Sequence, residues 1–124
     1  MIEANQIQKY RKKSISSLIK LATLKFNAFI RERDKGKGCI SCQGKVTEAG
    51  HYLSAGHNAH VRFNEMNVNG QCTRCNRWLH GNLIEYRKGL VKRYGHEKVE
   101  LLEGMQKNFK WDRFSLIEII LKFK

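Results

Sequence analysis

Between residues 14 and 35 the apolar positions Ile15, Leu18, Ile19, Ala22, Phe26, Phe29 and Ile30 recur at steps of three and four. That period places them on one face of an amphipathic helix. Ser14 suits its N-cap, and Gly36 and Gly38 punctuate its end. The period then disappears. Residues 44–70 are cut into short pieces by Gly44, Gly50, Gly56 and Gly70, and 49–54 and 61–68 are the segments able to form strands of a hairpin. From Cys72 the pattern turns helical again, with Cys75, Trp78 and Leu79 on one face and expected in the core. Leu83, Tyr86, Leu90, Val91 and Tyr94 mark the inner face of a helix over 83–94 that Gly95 ends. A short helix over 96–104 and a last one over 115–123 follow, the latter with Ser115 and Glu118 as a capping-box pair. Helices flanking a short hairpin make the expected class α+β.

Charge sharpens this division. Residues 1–38 carry ten Lys and Arg against three acids, 39–82 four against two, and 83–124 ten against six. The nearly neutral middle holds all four cysteines and four of the five histidines. The chain therefore reads as a basic arm and helix (1–38), a central unit that carries the chemistry (39–82) and a helical C-terminal segment (83–124), all in one compact domain. A net charge of +13 favours a polyanionic partner. Lys9, Arg11, Lys12 and Lys13 around Tyr10 form a basic cluster for phosphate contact or a solvated tail. No run of about 20 apolar residues is present, so no membrane is expected as partner. The N-terminus lacks the apolar stretch of a signal peptide, so a cytoplasmic location is expected.

Thiols stay reduced in such a compartment, which favours metal ligation over disulfides. Cys39-Ile40-Ser41-Cys42 and Cys72-Thr73-Arg74-Cys75 are two C-x2-C pairs with 29 residues between them. Each pair sets two thiolates on one side of a tight bend, and two bends complete a tetrahedral shell for structural Zn2+. Such a shell is closed and leaves no position for a substrate, so this zinc is expected to hold the fold. Paired redox cysteines are the competing reading, and the absence of a βαβ pattern argues against it.

Between the pairs stands Glu48-Ala49-Gly50-His51-Tyr52, and directly after the second stands Asn76. Phosphodiester hydrolysis needs a base to deprotonate water and a cation to offset charge on the phosphate, held a few ångströms apart. His51 on a strand suits the first role and an oxygen ligand such as Asn76 on the facing helix the second. The alternatives are a buried hydrogen-bonded histidine and a helix-capping asparagine. His57 and His60 suit solvent or phosphate contact, and His80, four residues after Asn76, is the weakest candidate for the metal. Arg62, Arg74 and Arg77 flank the site and are candidates to grip the phosphate.

This combination resembles the HNH, or His-metal-finger, nucleases, among them the phage junction resolvases with a four-cysteine zinc. Ala49-Gly50-His51-Tyr52, Arg62-Phe63-Asn64-Glu65-Met66-Asn67-Val68-Asn69-Gly70-Gln71-Cys72, Cys75-Asn76, 81–87 and Arg93-Tyr94-Gly95 are similar to the NinG/Rap recombination proteins of lambdoid phages, over roughly 38–103. The resemblance implies a zinc-stapled β-hairpin–α (ββα-metal) unit flanked by helices. It also implies a structure-specific endonuclease for branched DNA such as Holliday junctions and D-loops. By position, His51 matches the general base and Asn76 the ligand of a catalytic Mg2+ or Mn2+. Asn67 or Asn69 matches the central asparagine that braces the loop. Gly50 departs from the aspartate common before the histidine, and Glu48, on the same strand face, is the candidate substitute as metal ligand. Two rival readings keep many of these features: an HNH nicking, homing or restriction enzyme, and a zinc module that only binds nucleic acid. Cutting two symmetry-related strands suits a homodimer, with the apolar stripe of 14–35 as the expected contact.

Overall fold

The computed structural model describes residues 4–124. Helices α1 (Ala4–Tyr10) and α2 (Ile15–Asp34) lead into the first cysteine pair. Strand β1 (Glu48–His51), a 3-10 turn (Ala59–Val61) and strand β2 (Val68–Gln71) follow, then a single π turn (Arg74–Trp78). Helices α3 (Leu83–Tyr94), α4 (His96–Glu103) and α5 (Arg113–Lys122) complete the chain. The architecture is α+β, with one two-stranded antiparallel sheet among the described residues.

Helix α2 matches the sequence pattern closely. Ser14 caps it, its hydroxyl accepting from the Ser17 amide at 3.1 Å. Leu18, Ala22, Phe26 and Ile30 are fully buried. They pack against Leu116, Ile117 and Ile120 of α5 and against Phe63 and Val68 of the hairpin. Phe26 meets Phe63 and Phe123 edge-on, with centroids 5.6 and 4.9 Å away. The apolar stripe expected to serve as a dimer contact is thus taken up by the chain's own core. Helix α5 begins two residues before the expected start. Its cap is Asp112, whose carboxylate accepts from the Ser115 amide at 2.8 Å, so Ser115 sits inside the helix and does not open a capping box.

The hairpin pairs Glu48 with Gln71, Gly50 with Asn69 and His51 with Val68. Both strands are shorter than expected, and 61–67 is not a strand. The cause is local competition from side chains. The Asn64 side-chain oxygen Oδ1 accepts from the amides of Met66 and Asn67, closing a turn. Asn67 occupies the Leu53 amide and carbonyl, which ends β1 early.

After Cys72 the expected helix is only the π turn. Its wide bond from the Leu79 amide to the Arg74 carbonyl, 2.8 Å, changes which side chains face inward. His80, Gly81 and Asn82 then adopt positive φ in succession and redirect the chain. Cys75 stays buried, whereas Trp78 is 76% exposed and Leu79 and Leu83 are exposed too, contrary to the expectation of core positions. His80 lies beyond the turn and does not share a helix face with Asn76.

A second core joins α3 and α4 to the first cysteine pair through Ile40, Tyr86, Leu90 and Val99. Gly89 makes this contact possible: a Cβ there would lie 2.0 Å from the Ile40 carbonyl oxygen.

Candidate metal and catalytic site

The two cysteine pairs come together as their spacing requires. The four sulfurs of Cys39, Cys42, Cys72 and Cys75 lie within 4.8 Å of one another, with Cys42 and Cys72 3.6 Å apart. A tetrahedral zinc with bonds near 2.3 Å requires sulfurs about 3.8 Å apart, so this set can hold a metal ion such as zinc. The Gly44 amide donates to Cys42 at 3.4 Å, the Cys75 amide to Cys72 at 3.4 Å and the Asn82 side chain to Cys75 at 3.5 Å. Such donors favour thiolates, the form that binds metal.

His51 ends β1, half-buried. Its Nε2 lies 2.9 Å from the carbonyl oxygen of Arg62. A carbonyl only accepts, so Nε2 carries the proton and the free lone pair is on Nδ1. Burial pushes His51 below the ordinary imidazole range, the bond to Arg62 works the other way, and the charge of Arg62 adds to the lowering. The ring is therefore held neutral, in one tautomer.

Asn67 supports this arrangement from below. It is fully buried, and its Nδ2 donates to the carbonyls of Leu53 and Val61 at 3.0 and 3.1 Å. These bonds pin both ends of the segment leading to Arg62, whose carbonyl orients His51. Asn69 does something else: its Oδ1 accepts from Arg33, Arg93 and Tyr94, joining β2 to α2 and α3. Of the two asparagines, Asn67 is the one whose side chain bonds the loop between the strands.

On the other face of β1, Glu48 Oε1 accepts from Asn76 Nδ2 at 2.7 Å and from Arg77 Nε at 3.1 Å. Its Oε2 accepts from the Thr73 hydroxyl at 2.9 Å. Partial burial works against ionisation, but the bonds from Asn76, Thr73 and Arg77 outweigh it and hold the Glu48 carboxyl below its usual range. A polar cleft of about 420 Å³ opens here, lined by Asn27, Arg31, Thr47, Glu48, Asn76 and Arg77 among others. A neighbouring cleft is lined by Lys20, Thr23, Asn27, Arg31 and Arg62. Arg62 and Arg77 thus flank the site. Arg74 is exposed on the same π turn. Lys9, Arg11, Lys12 and Lys13 are exposed on α1 and the turn after it, and line neither cleft.

Sequence reasoning missed three groups here. Lys20, Asn27 and Arg31 share the polar face of α2 at helical spacing, a signal visible once the apolar face is removed. Tyr86, read only as an inward residue, is fully buried and donates its hydroxyl to the Gly50 carbonyl at 2.7 Å, anchoring β1 to α3. Asp34 is fully buried at the end of α2, and its carboxylate accepts from Arg33 at 2.7 and 2.8 Å and from the Gly70 amide at 2.8 Å. Neither of these last two bonds leaves a pattern in the sequence.

Comparison with known proteins adds an independent line. The chain is 42% identical over 110 residues to protein ninG of Escherichia phage lambda, covering 86% of this chain and 53% of that protein. It is 41% identical over 110 residues to protein ninG of Salmonella phage P22 and to that of Escherichia phage 933W, covering 86% of this chain and 54% of each. The chain spans about half the length of these relatives. No solved structure matches it. The family model described as "Bacteriophage Lambda NinG protein" matches residues 2–124, beyond the 38–103 on which the motifs rest, and the chain belongs to this family.

Proposed function

We propose that this chain is a metal-dependent DNA endonuclease of the HNH type that acts on branched recombination intermediates. The observation that carries the reading is His51: a neutral histidine, fixed in one tautomer by the Arg62 carbonyl, on the strand that also carries Glu48 against Asn76. In this reading Nδ1 of His51 takes a proton from the water that attacks the phosphate. Asn76 presents an oxygen to Mg2+ or Mn2+, a cation that supplies charge stabilisation at the phosphate and the leaving 3′ oxygen. Arg62 and Arg77, with Arg31, hold the scissile strand. The four-cysteine set holds structural Zn2+, which clips the entry of the hairpin to the π turn that carries Asn76.

The preference for branched DNA has its own support. Trp78 stands exposed beside the exposed Arg74 and Arg77, which makes a stacking platform for an unpaired base next to phosphate contacts. Unpaired bases occur at branch points and not within a plain duplex.

The test is cleavage of a four-way junction, a flap and a plain duplex, each with and without Mg2+. Strand cleavage that needs the metal and favours the branched substrates is expected. Tight binding without cleavage under any metal would overturn the enzymatic reading, and equal cutting of all three substrates would overturn the preference.

A further inference from the structure

Gln71, the last residue of β2, is fully buried, and its side-chain amide is held in one orientation. Nε2 donates to the Ser41 hydroxyl at 2.9 Å and to the Gly81 carbonyl at 2.8 Å. The Gly81 carbonyl only accepts, so the amide cannot be turned around, and Oε1 points the opposite way. No donor among the described residues meets that buried oxygen. Buried carbonyl oxygens are almost always satisfied, so an orphan held in place by two bonds on its partner nitrogen calls for a ligand.

Its direction is defined by Gly50. A Cβ built on Gly50 would lie 1.8 Å from Gln71 Oε1 and 2.8 Å from Asn76 Oδ1. Both oxygens therefore lie on the same side of β1 beside Gly50, and glycine is required there because a Cβ would collide with the Gln71 amide. Asn76 is oriented by the same logic as Gln71. Its Nδ2 donates to the ionised Glu48 at 2.7 Å, which turns Oδ1 toward Gly50. Two amide oxygens on the same side of Gly50 are favoured as neighbours when a cation or a donor sits between them. The Glu48 carboxylate adds negative potential next to them. Neutral carbonyl oxygens near a carboxylate are the donor set of a hard divalent cation.

We infer that Gln71 Oε1 is a protein ligand of the divalent cation, sharing it with Asn76 Oδ1, and that Glu48 positions Asn76. The inference rests on the endonuclease reading above and assigns the second oxygen at that site to a residue of β2.

The test uses the zinc-loaded full chain and Mn2+ alone as probe, read without substrate. Mn2+ binding is followed by loss of the free-ion paramagnetic resonance signal, and relaxation of the Gln71 and Asn76 carboxamide resonances by NMR. Mn2+ is expected to broaden both carboxamides. Gln71→Met and Gln71→Glu both lose the donated bond to Gly81, while Glu can still accept from the Ser41 hydroxyl, so the thermal stability of each variant is measured beside its Mn2+ affinity. Their Mn2+ affinities should diverge: at least ~10-fold weaker for Gln71→Met, and equal to wild type or tighter for Gln71→Glu. Broadening of the two carboxamides places the ion beside both, and the affinity decides ligation: if Gln71→Met binds Mn2+ as wild type does, the oxygen merely holds a water and the assignment is overturned. If neither carboxamide responds and no Mn2+ is bound, the metal-dependent reading of the site falls with it.

Discussion

The α2–α5 layer and the 39–82 hairpin unit of this chain are held together by different physics. The helical layer buries Leu18, Ala22, Phe26, Ile30, Leu116, Ile117 and Ile120, many apolar contacts each of modest strength. The hairpin unit has strands of four residues and a β2 in which three of the four buried positions are Asn69, Gly70 and Gln71. Its order comes from the four cysteines and from buried amides and carboxylates, few in number and each directional. Apolar burial tolerates small shifts, whereas a base and a metal ligand require fixed positions. On the proposed reading the chemistry sits in the part of the molecule held by directional bonds, and the helical layer serves as its platform.

The sharpest way to break this contrast is to remove the staple. Structural zinc contributes folding free energy on the order of 10 kcal/mol in small domains, as large as the whole stability of many domains. Cys72→Ser, or chelation of the wild-type chain, is expected to abolish amide protection across 39–82 and the start of α3. Residual protection is expected in α2 and α5, whose contacts do not pass through the cysteines. Hydrogen exchange resolved along the chain makes the measurement, and loss of protection at equal rate in both regions would show that they fold as a single unit.

Matched substitutions in the two regions come next. Phe26→Ala removes a ring packed on Phe63 and Phe123, at a cost of about 3–5 kcal/mol that should barely depend on pH. Asp34→Asn should cost a similar ~3–5 kcal/mol, because it leaves Arg33 and Arg93 without their buried counter-charge. The latter effect has a pH signature. Burial works against the Asp34 carboxylate, but the bonds from Arg33 and Gly70 and the charges of Arg33 and Arg93 outweigh it and lower its pKa. Its stabilisation is present above the ordinary aspartate value of about 4 and is lost as pH falls through the lower folded value. Denaturant melts of wild type and Asp34→Asn should therefore converge in strong acid, while those of wild type and Phe26→Ala stay apart.

The same contrast decides what the sequence discloses. Apolar burial writes a period, so the centre of the core face of α2 is legible at Leu18, Ala22, Phe26 and Ile30, although Ile15 of the same stripe is exposed, and the limits of α3 and α4 are legible to within a residue. The cysteine pairs are legible because a tetrahedral shell requires their spacing, and the His51 and Asn76 motif because it resembles a family. Directional bonds write no period. Asn64 and Asn67 replace ladder bonds with side-chain bonds and shorten both strands. The π turn and three positive-φ residues move Trp78 and Leu79 from the expected core to the surface. The clamp on the Gln71 amide joins positions 30 and 10 residues apart in sequence, a relation that folding alone creates.

The smallest effect on stability, and the most selective one, is expected at His51. The side chain makes one hydrogen bond, to the Arg62 carbonyl, and belongs to neither apolar cluster. His51→Ala is therefore expected to change stability at pH 7 by no more than ~1 kcal/mol, the net worth of one hydrogen bond. On the proposed reading it should slow DNA cleavage by at least ~10²-fold, the usual contribution of a general base. Acid separates the two roles. Burial lowers the folded pKa of His51 below its unfolded value near 6.5, so the neutral ring contributes stability above that value, lost as pH falls toward the folded pKa. Wild type should lose stability over that window, and His51→Ala should not show that loss. Because the base form persists below pH 6.5, the wild-type cleavage rate should hold its plateau into that range before falling. A variant that cleaves at the wild-type rate, with the acid window of stability still removed, would show that His51 is a buried structural histidine and that the base lies elsewhere.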